Sequence, residues 1–106
     1  MARPLVSAPA RVARGESFEV KALIAHPMET GYRPGENGTM LARDIVRRLV
    51  CRFAGDLVFD MTLSPAIAAN PYVAFRVRAV RAGALELEWT GDNGFAAAHR
   101  VEIAVG

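Results

Sequence analysis

Apolar and polar side chains alternate with a period of two through most of this chain. This pattern limits the fold more than any other feature, because successive residues of an extended strand point to opposite faces. In SFEVKALIA (17–25), Phe18, Val20, Ala22 and Ile24 share one face, while Glu19 and Lys21 share the other. In IVRRLVCRF (45–53), Ile45, Leu49, Cys51 and Phe53 line one face, and Val46, Arg48, Val50 and Arg52 line the opposite one. DLVFDMTL groups Leu57, Phe59, Met61 and Leu63. YVAFRVRAV turns Val73, Phe75, Val77 and Ala79 inward and Arg76 and Arg78 outward. ALELEW alternates Leu85, Leu87 and Trp89 with Glu86 and Glu88, and HRVEIAV aligns Val101, Ile103 and Val105.

Turn signals separate these runs: Gly15, AGD at 54–56, SPAIAANP at 64–71, AGA at 82–84 and TGDNG at 90–94. About seven short strands at this spacing predict an all-β, immunoglobulin-like antiparallel β-sandwich. RPLVSAP reads as an edge strand broken by Pro4 and Pro9, because proline gives no ladder donor. TMLARDIVRRLV also fits a helical face. The β-branched Ile45, Val46 and Val50 favour a strand from about residue 45 instead.

A chain of 106 residues is expected to form one domain, residues 1–106, with a core that needs neither disulfide nor metal. Its formal net charge is only +2, and of its basic residues only Lys21 is not arginine. Hydrophobic residues reach 52 % before glycine is counted, against roughly 45–50 % with glycine in ordinary domains. Part of that surplus is consistent with apolar surface that meets a partner. The opening MARPLVSAPARVARGESF has no continuous apolar stretch of a secretory signal, and no run is long enough to span a bilayer. On composition alone the chain reads as soluble and cytoplasmic.

Candidate chemistry is sparse. Cys51 is the single cysteine and the one conceivable thiol nucleophile, with Arg47, Arg48 and Arg52 near it in sequence. The alternation turns it toward the core with Leu49 and Phe53, where a cysteine acts as a small hydrophobe. His26, His99, Cys51 and scattered carboxylates lack metal-ligand spacing, so no metal and no cofactor are expected. There is no GxSxG elbow, and GENG and GDNG read as turns rather than phosphate or calcium loops. A stripe of Arg48, Arg52, Arg76 and Arg78 with Tyr72 could suit nucleic acid. Pairing of those arginines with Glu86 and Glu88 across the sheet is the better reading, so no nucleic-acid partner is expected.

One segment alternates nowhere. AHPMETGYRPGENGT (25–39) is long for a connection without secondary structure, and such loops are often functional. Pro27 restricts His26, Gly31, Gly35 and Gly38 supply turns, and Glu29 and Arg33 can pair. Within it, HPMETGYR (26–33) resembles the distinctive motif of the SoxZ family, a subunit of the sulfur-oxidation carrier complex. NPYVAF (70–75) and Trp89 followed by GDNG (91–94) resemble the family in the same order, so the likeness runs from about residue 18 to 105.

The resemblance implies a non-catalytic sandwich subunit that pairs with a SoxY-type carrier in a heterodimer. On that carrier a cysteine near the C-terminus, on a glycine-rich arm, holds the sulfur intermediates of thiosulfate oxidation. This chain ends VEIAVG, and Cys51 does not match that role. The resemblance also implies a periplasmic location, reached by co-export with the partner, and transient contact with other sulfur-oxidation enzymes. Two partner-binding groups are expected. Val46, Val50 and Val58, turned away from the Leu49–Phe53 face, would meet SoxY with Arg48 and Arg52 at the polar rim. His26, Met28, Glu29 and Arg33 would dock pathway enzymes or the carrier arm. The alternative is an immunoglobulin-like interaction domain of another bacterial complex.

Overall fold

The computed structural model of the protein describes residues 3–25, 45–63 and 72–106. Eight strands form among them: β1 (Arg3–Ser7), β2 (Arg11–Val12), β3 (Ser17–Ala25), β4 (Val46–Phe53), β5 (Asp56–Thr62), β6 (Tyr72–Arg78), β7 (Gly83–Gly91) and β8 (Ala96–Val105). They build two packed sheets, one in the order β1–β3–β6 and one in the order β2–β8–β7–β4–β5. Each pairing is antiparallel except that of β2 with β8. The result is the expected all-β, immunoglobulin-like sandwich, with one strand more than the sequence shows. That strand, β2, has two residues and leaves no legible alternation. Pro9 falls where the chain leaves the smaller sheet and joins the larger one, at a point where a missing N–H interrupts no ladder.

The inward faces meet in one core. Phe18, Val20, Ala22 and Ile24 of β3 lie opposite Leu49, Cys51 and Phe53 of β4 and Leu85, Leu87 and Trp89 of β7, all of them buried. Removing each large apolar side chain from water stabilises the fold by about 1.5–3 kcal/mol. The Phe18 and Phe53 rings meet edge-on between the sheets, with centroids 5.5 Å apart. At the open flank Phe59 of β5 stacks on Phe75 of β6 at 4.1 Å, so the two edge strands are joined through their side chains. β3, β6, β7 and β8 keep the parity expected from alternation.

β4 and β5 do not, and the cause is two register shifts. The first lies between Val46 and Arg48, where Val46 sits opposite Gly91 and Arg48 opposite Thr90. An extra residue on one strand reverses the facing of those beyond it. Val46 therefore joins the core at 0 % exposure, on the same side as Leu49, rather than facing outward as its position predicts. The second shift sets Cys51 opposite Phe59 but Arg52 opposite Leu57. Leu57 turns outward with Arg52, not inward with Phe59 and Met61, and is 56 % exposed.

Gly91 makes the first bulge possible. A Cβ there would overlap the carbonyl oxygen of Ile45 and lie 3.0 Å from the Cα of Val46. Gly91→Ala is expected to lower stability by about 1–3 kcal/mol, because backbone must shift to admit the methyl group. Urea unfolding followed by the fluorescence of the single, buried Trp89 measures this, and an unchanged midpoint contradicts the packing described.

Candidate partner-binding interface

The sandwich offers two outer sheet faces, and the sequence builds them differently. On the larger sheet, alternation brings Arg48, Val50 and Arg52 of β4 beside Asp60 of β5, Glu86 and Glu88 of β7 and Arg100 and Glu102 of β8. Of these charges, Arg48, Asp60, Glu86, Arg100 and Glu102 form ion pairs. Arg48 donates to both Asp60 oxygens, Nε–H at 3.0 Å and Nη2–H at 2.7 Å. That fork holds the Asp60 carboxyl below its usual range and raises Arg48 above its own. Arg100 donates to Glu102 at 2.9 Å and lies 3.6 Å from Glu86. A depression of about 240 Å3 opens among Arg52, Glu86, Glu88, His99 and Arg100.

The expected apolar patch on this face does not form. Val46 is in the core, and Val50 is only 8 % exposed, with Asp60 and Glu88 opposite it on the flanking strands. Arg48 and Arg52 are exposed, and Val58 is 37 % exposed on the edge strand beside Leu57. An arginine stripe, the less favoured reading of the sequence, is also divided, since Arg48 and Arg52 belong to the larger sheet and Arg76 and Arg78 to the smaller. Asp60 and Arg100, rather than the pairings expected from sequence, complete the ion pairs of Arg48 and Glu86.

The outer face of the smaller sheet was not singled out by sequence reasoning. Strand register sets Leu5, Leu23 and Tyr72 in one row across β1, β3 and β6. Leu5 is 53 % and Tyr72 48 % exposed. A mostly apolar depression of about 340 Å3 lies over this row, with Ser7 and Lys21 at its margin. Leu23 was the available signal: it shares the parity of the polar Glu19 and Lys21, not that of the core residues.

His26, Met28, Glu29 and Arg33 lie outside the described residues. The chain beyond them is clamped by the GDNG turn. The Ile45 N–H donates to Asp92 Oδ2 at 3.3 Å, the Asp92 N–H donates to the Ile45 carbonyl at 3.0 Å, and Arg47 donates to Asp92 Oδ1 at 3.4 Å. Asn93 and Gly94 adopt left-handed φ values that close the turn. The sequence indicates the turn but not its grip on the start of β4.

Among the described residues, no group of three or more His, Cys, Asp and Glu side chains could hold a metal, and no helix is long and apolar enough to cross a membrane. Cys51 is fully buried between the sheets, and burial pushes its thiol up to about 12.

Comparison with known proteins adds three findings. The family model described as "Sulphur oxidation protein SoxZ" matches residues 6–102. No curated protein matches. Several solved structures share the fold. The sulfur carrier protein SoxY from Chlorobium limicola f thiosulfatophilum is 14 % identical with a TM-score of 0.69, over 97 % of this chain and 78 % of its own. A superoxide reductase (neelaredoxin) from Ignicoccus hospitalis is 20 % identical with a TM-score of 0.70, over 97 % and 80 %. The CARDB domain of a Pyrococcus furiosus protein, in complex with di-metal ions, is 11 % identical with a TM-score of 0.62, over 100 % and 88 %. At such identities the likeness is one of fold.

The buried thiol gives two expected outcomes. Labelling of Cys51 by a thiol reagent at pH 8 should be slower than that of an unfolded cysteine by two or more orders of magnitude, and should speed up with denaturant. Because the folded-state value is raised, the thiol favours the fold below its ordinary value near 9.0 and that contribution fades as pH climbs toward 12. Stability should therefore fall over that window, and less steeply in Cys51→Ala. Fast labelling of the folded chain would contradict the burial.

Proposed function

The chain belongs to the SoxZ family, and from that premise we propose that it is the non-catalytic half of a heterodimeric sulfur carrier. Its partner is a SoxY-like subunit whose C-terminal cysteine carries the sulfur intermediates of thiosulfate oxidation. The family match over residues 6–102 carries this reading. The state of Cys51 supports it. A sulfur carrier needs an exposed, readily ionised thiolate, and this thiol is neither exposed nor easily ionised. The pair works in the periplasm.

In this reading the chain acts by holding surfaces, and its own residues do no bond chemistry. His26, Met28, Glu29 and Arg33 receive the pathway's enzymes or the carrier arm. The support for that assignment is the specificity of the HPMETGYR motif. Arg48, Arg52 and Val58 remain exposed on the β4–β5 side.

Two experiments test these assignments. The heterodimer carrying Cys51→Ala should turn over thiosulfate within about twofold of wild type, and mass spectrometry should find sulfur adducts on the partner alone. Adducts on Cys51, or lost turnover with the dimer intact, would refute the proposal. Glu29→Ala with Arg33→Ala should lower turnover about tenfold or more while the heterodimer persists. Normal turnover would reduce the motif to a structural role.

A further inference from the structure

We propose that the carrier subunit docks on the outer face of the smaller sheet, placing an apolar side chain over the Leu5–Leu23–Tyr72 row and carboxylates against Lys21, Arg76 and Arg78. This inference rests on the heterodimer reading and adds to it where the partner sits.

The two outer faces decide the choice. On the larger sheet Arg48 and Arg100 pair with Asp60, Glu86 and Glu102, the remaining Arg52 and Glu88 are opposite in sign, and the central valine is nearly covered. A partner docking there must separate ion pairs that water and neighbouring side chains already satisfy. The three strands of the smaller sheet carry four basic residues, Arg3, Lys21, Arg76 and Arg78, against one acid, Glu19. Lys21 and Glu19 are 3.6 Å apart and both about half exposed. Arg76 donates to the Ser17 carbonyl at 3.2 Å, and no ion pair reaches Arg78 among the described residues. Positive charge is thus left over on this face, and it suits an acidic partner.

The apolar row lies at one end of the face and the arginines at the other. Leu23 and Lys21 are two residues apart on β3, so the basic residues begin about 7 Å from the row. An interface of this kind places an apolar anchor in a depression and charges at its margin. The depression of about 340 Å3 has room for one such side chain. An anionic bilayer also attracts apolar and basic residues. An interfacial anchor needs a broad apolar face, however, and here only Leu5, Leu23 and Tyr72 make up the apolar row, so a protein side chain suits this shallow depression better.

The test is the affinity of the full-length chain for its purified carrier subunit, by titration at two salt concentrations. Tyr72→Asp and Leu5→Asp should each weaken binding about tenfold or more. Arg76→Glu should slow association and flatten its salt dependence. Val58→Asp, on the other sheet, should bind within about twofold of wild type. All four positions are exposed, so melting temperatures should match wild type, and Tyr72→Ala replaces Tyr72→Asp if that variant unfolds. Wild-type affinity in Tyr72→Asp and Leu5→Asp overturns this placement alone, as does a loss confined to Val58→Asp. Tyr72-dependent sedimentation with phosphatidylserine vesicles, with carrier binding unchanged, overturns it in favour of a bilayer. Failure of the wild-type chain to bind any carrier removes the heterodimer reading, and this inference with it.

Discussion

Strand parity is the constraint on which the rest of this structure depends. A two-sheet sandwich buries one face of each strand, and a one-residue slip exchanges the buried set for the wet one. β4 is paired on both sides, with β5 and β7, so its parity is fixed by both ladders at once. Its bulge at Val46–Arg48 lets Val46 and Leu49, three residues apart, enter the same core. Without that extra residue either Val46 would be wet or the arginines that follow it would be driven inward. Burying unpaired guanidinium groups costs several kcal/mol each. Gly91 and the Asp92 clamp are the local means of holding the bulge: one lets the chains approach, and the other fixes the backbone of Ile45.

The same parity produces two unlike exteriors. On the larger sheet, arginine and carboxylate alternate across neighbouring strands and neutralise one another, as in the Arg48–Asp60 fork. Individually such exposed pairs contribute little to stability. Their effect is to leave few unpaired charges on that face. On the smaller sheet the apolar row and the basic residues remain unmatched. The fold itself does not decide the function, since reductase, carrier and metal-binding domains share it.

Most of the fold was legible because alternation survives wherever pairing is regular. β3, β6 and β7 could be read residue by residue, and Cys51 was correctly turned inward between Leu49 and Phe53. The errors fall where the register shifts. Val46 and Leu57 were misplaced because a bulge is a relation between two strands and leaves no mark on one strand's sequence. Val50 was misjudged for another reason: its facing was right, but its neighbours, Asp60 and Glu88, are set by strand pairing rather than by its own segment. Leu23 was readable and passed over. An apolar residue at a position of polar parity is the one local sign that an outer face is not meant for water.

The position of Cys51 also has a chemical consequence within the proposed function. Sulfane sulfur and disulfides move between thiolates, and the rate depends on how much thiolate is present and how well it can be reached. A second reactive thiol beside a carrier cysteine would compete for its cargo. Full burial excludes the reagent, and desolvation raises the thiol to about 12, so at neutral pH almost none is ionised. The residue thereby serves as packing between Leu49 and Phe53 while remaining silent toward sulfur. A serine there would bring a hydroxyl that needs a partner into an apolar layer, and an alanine would leave a void. Thiol and core are compatible because the fold, and not the residue type, sets its reactivity.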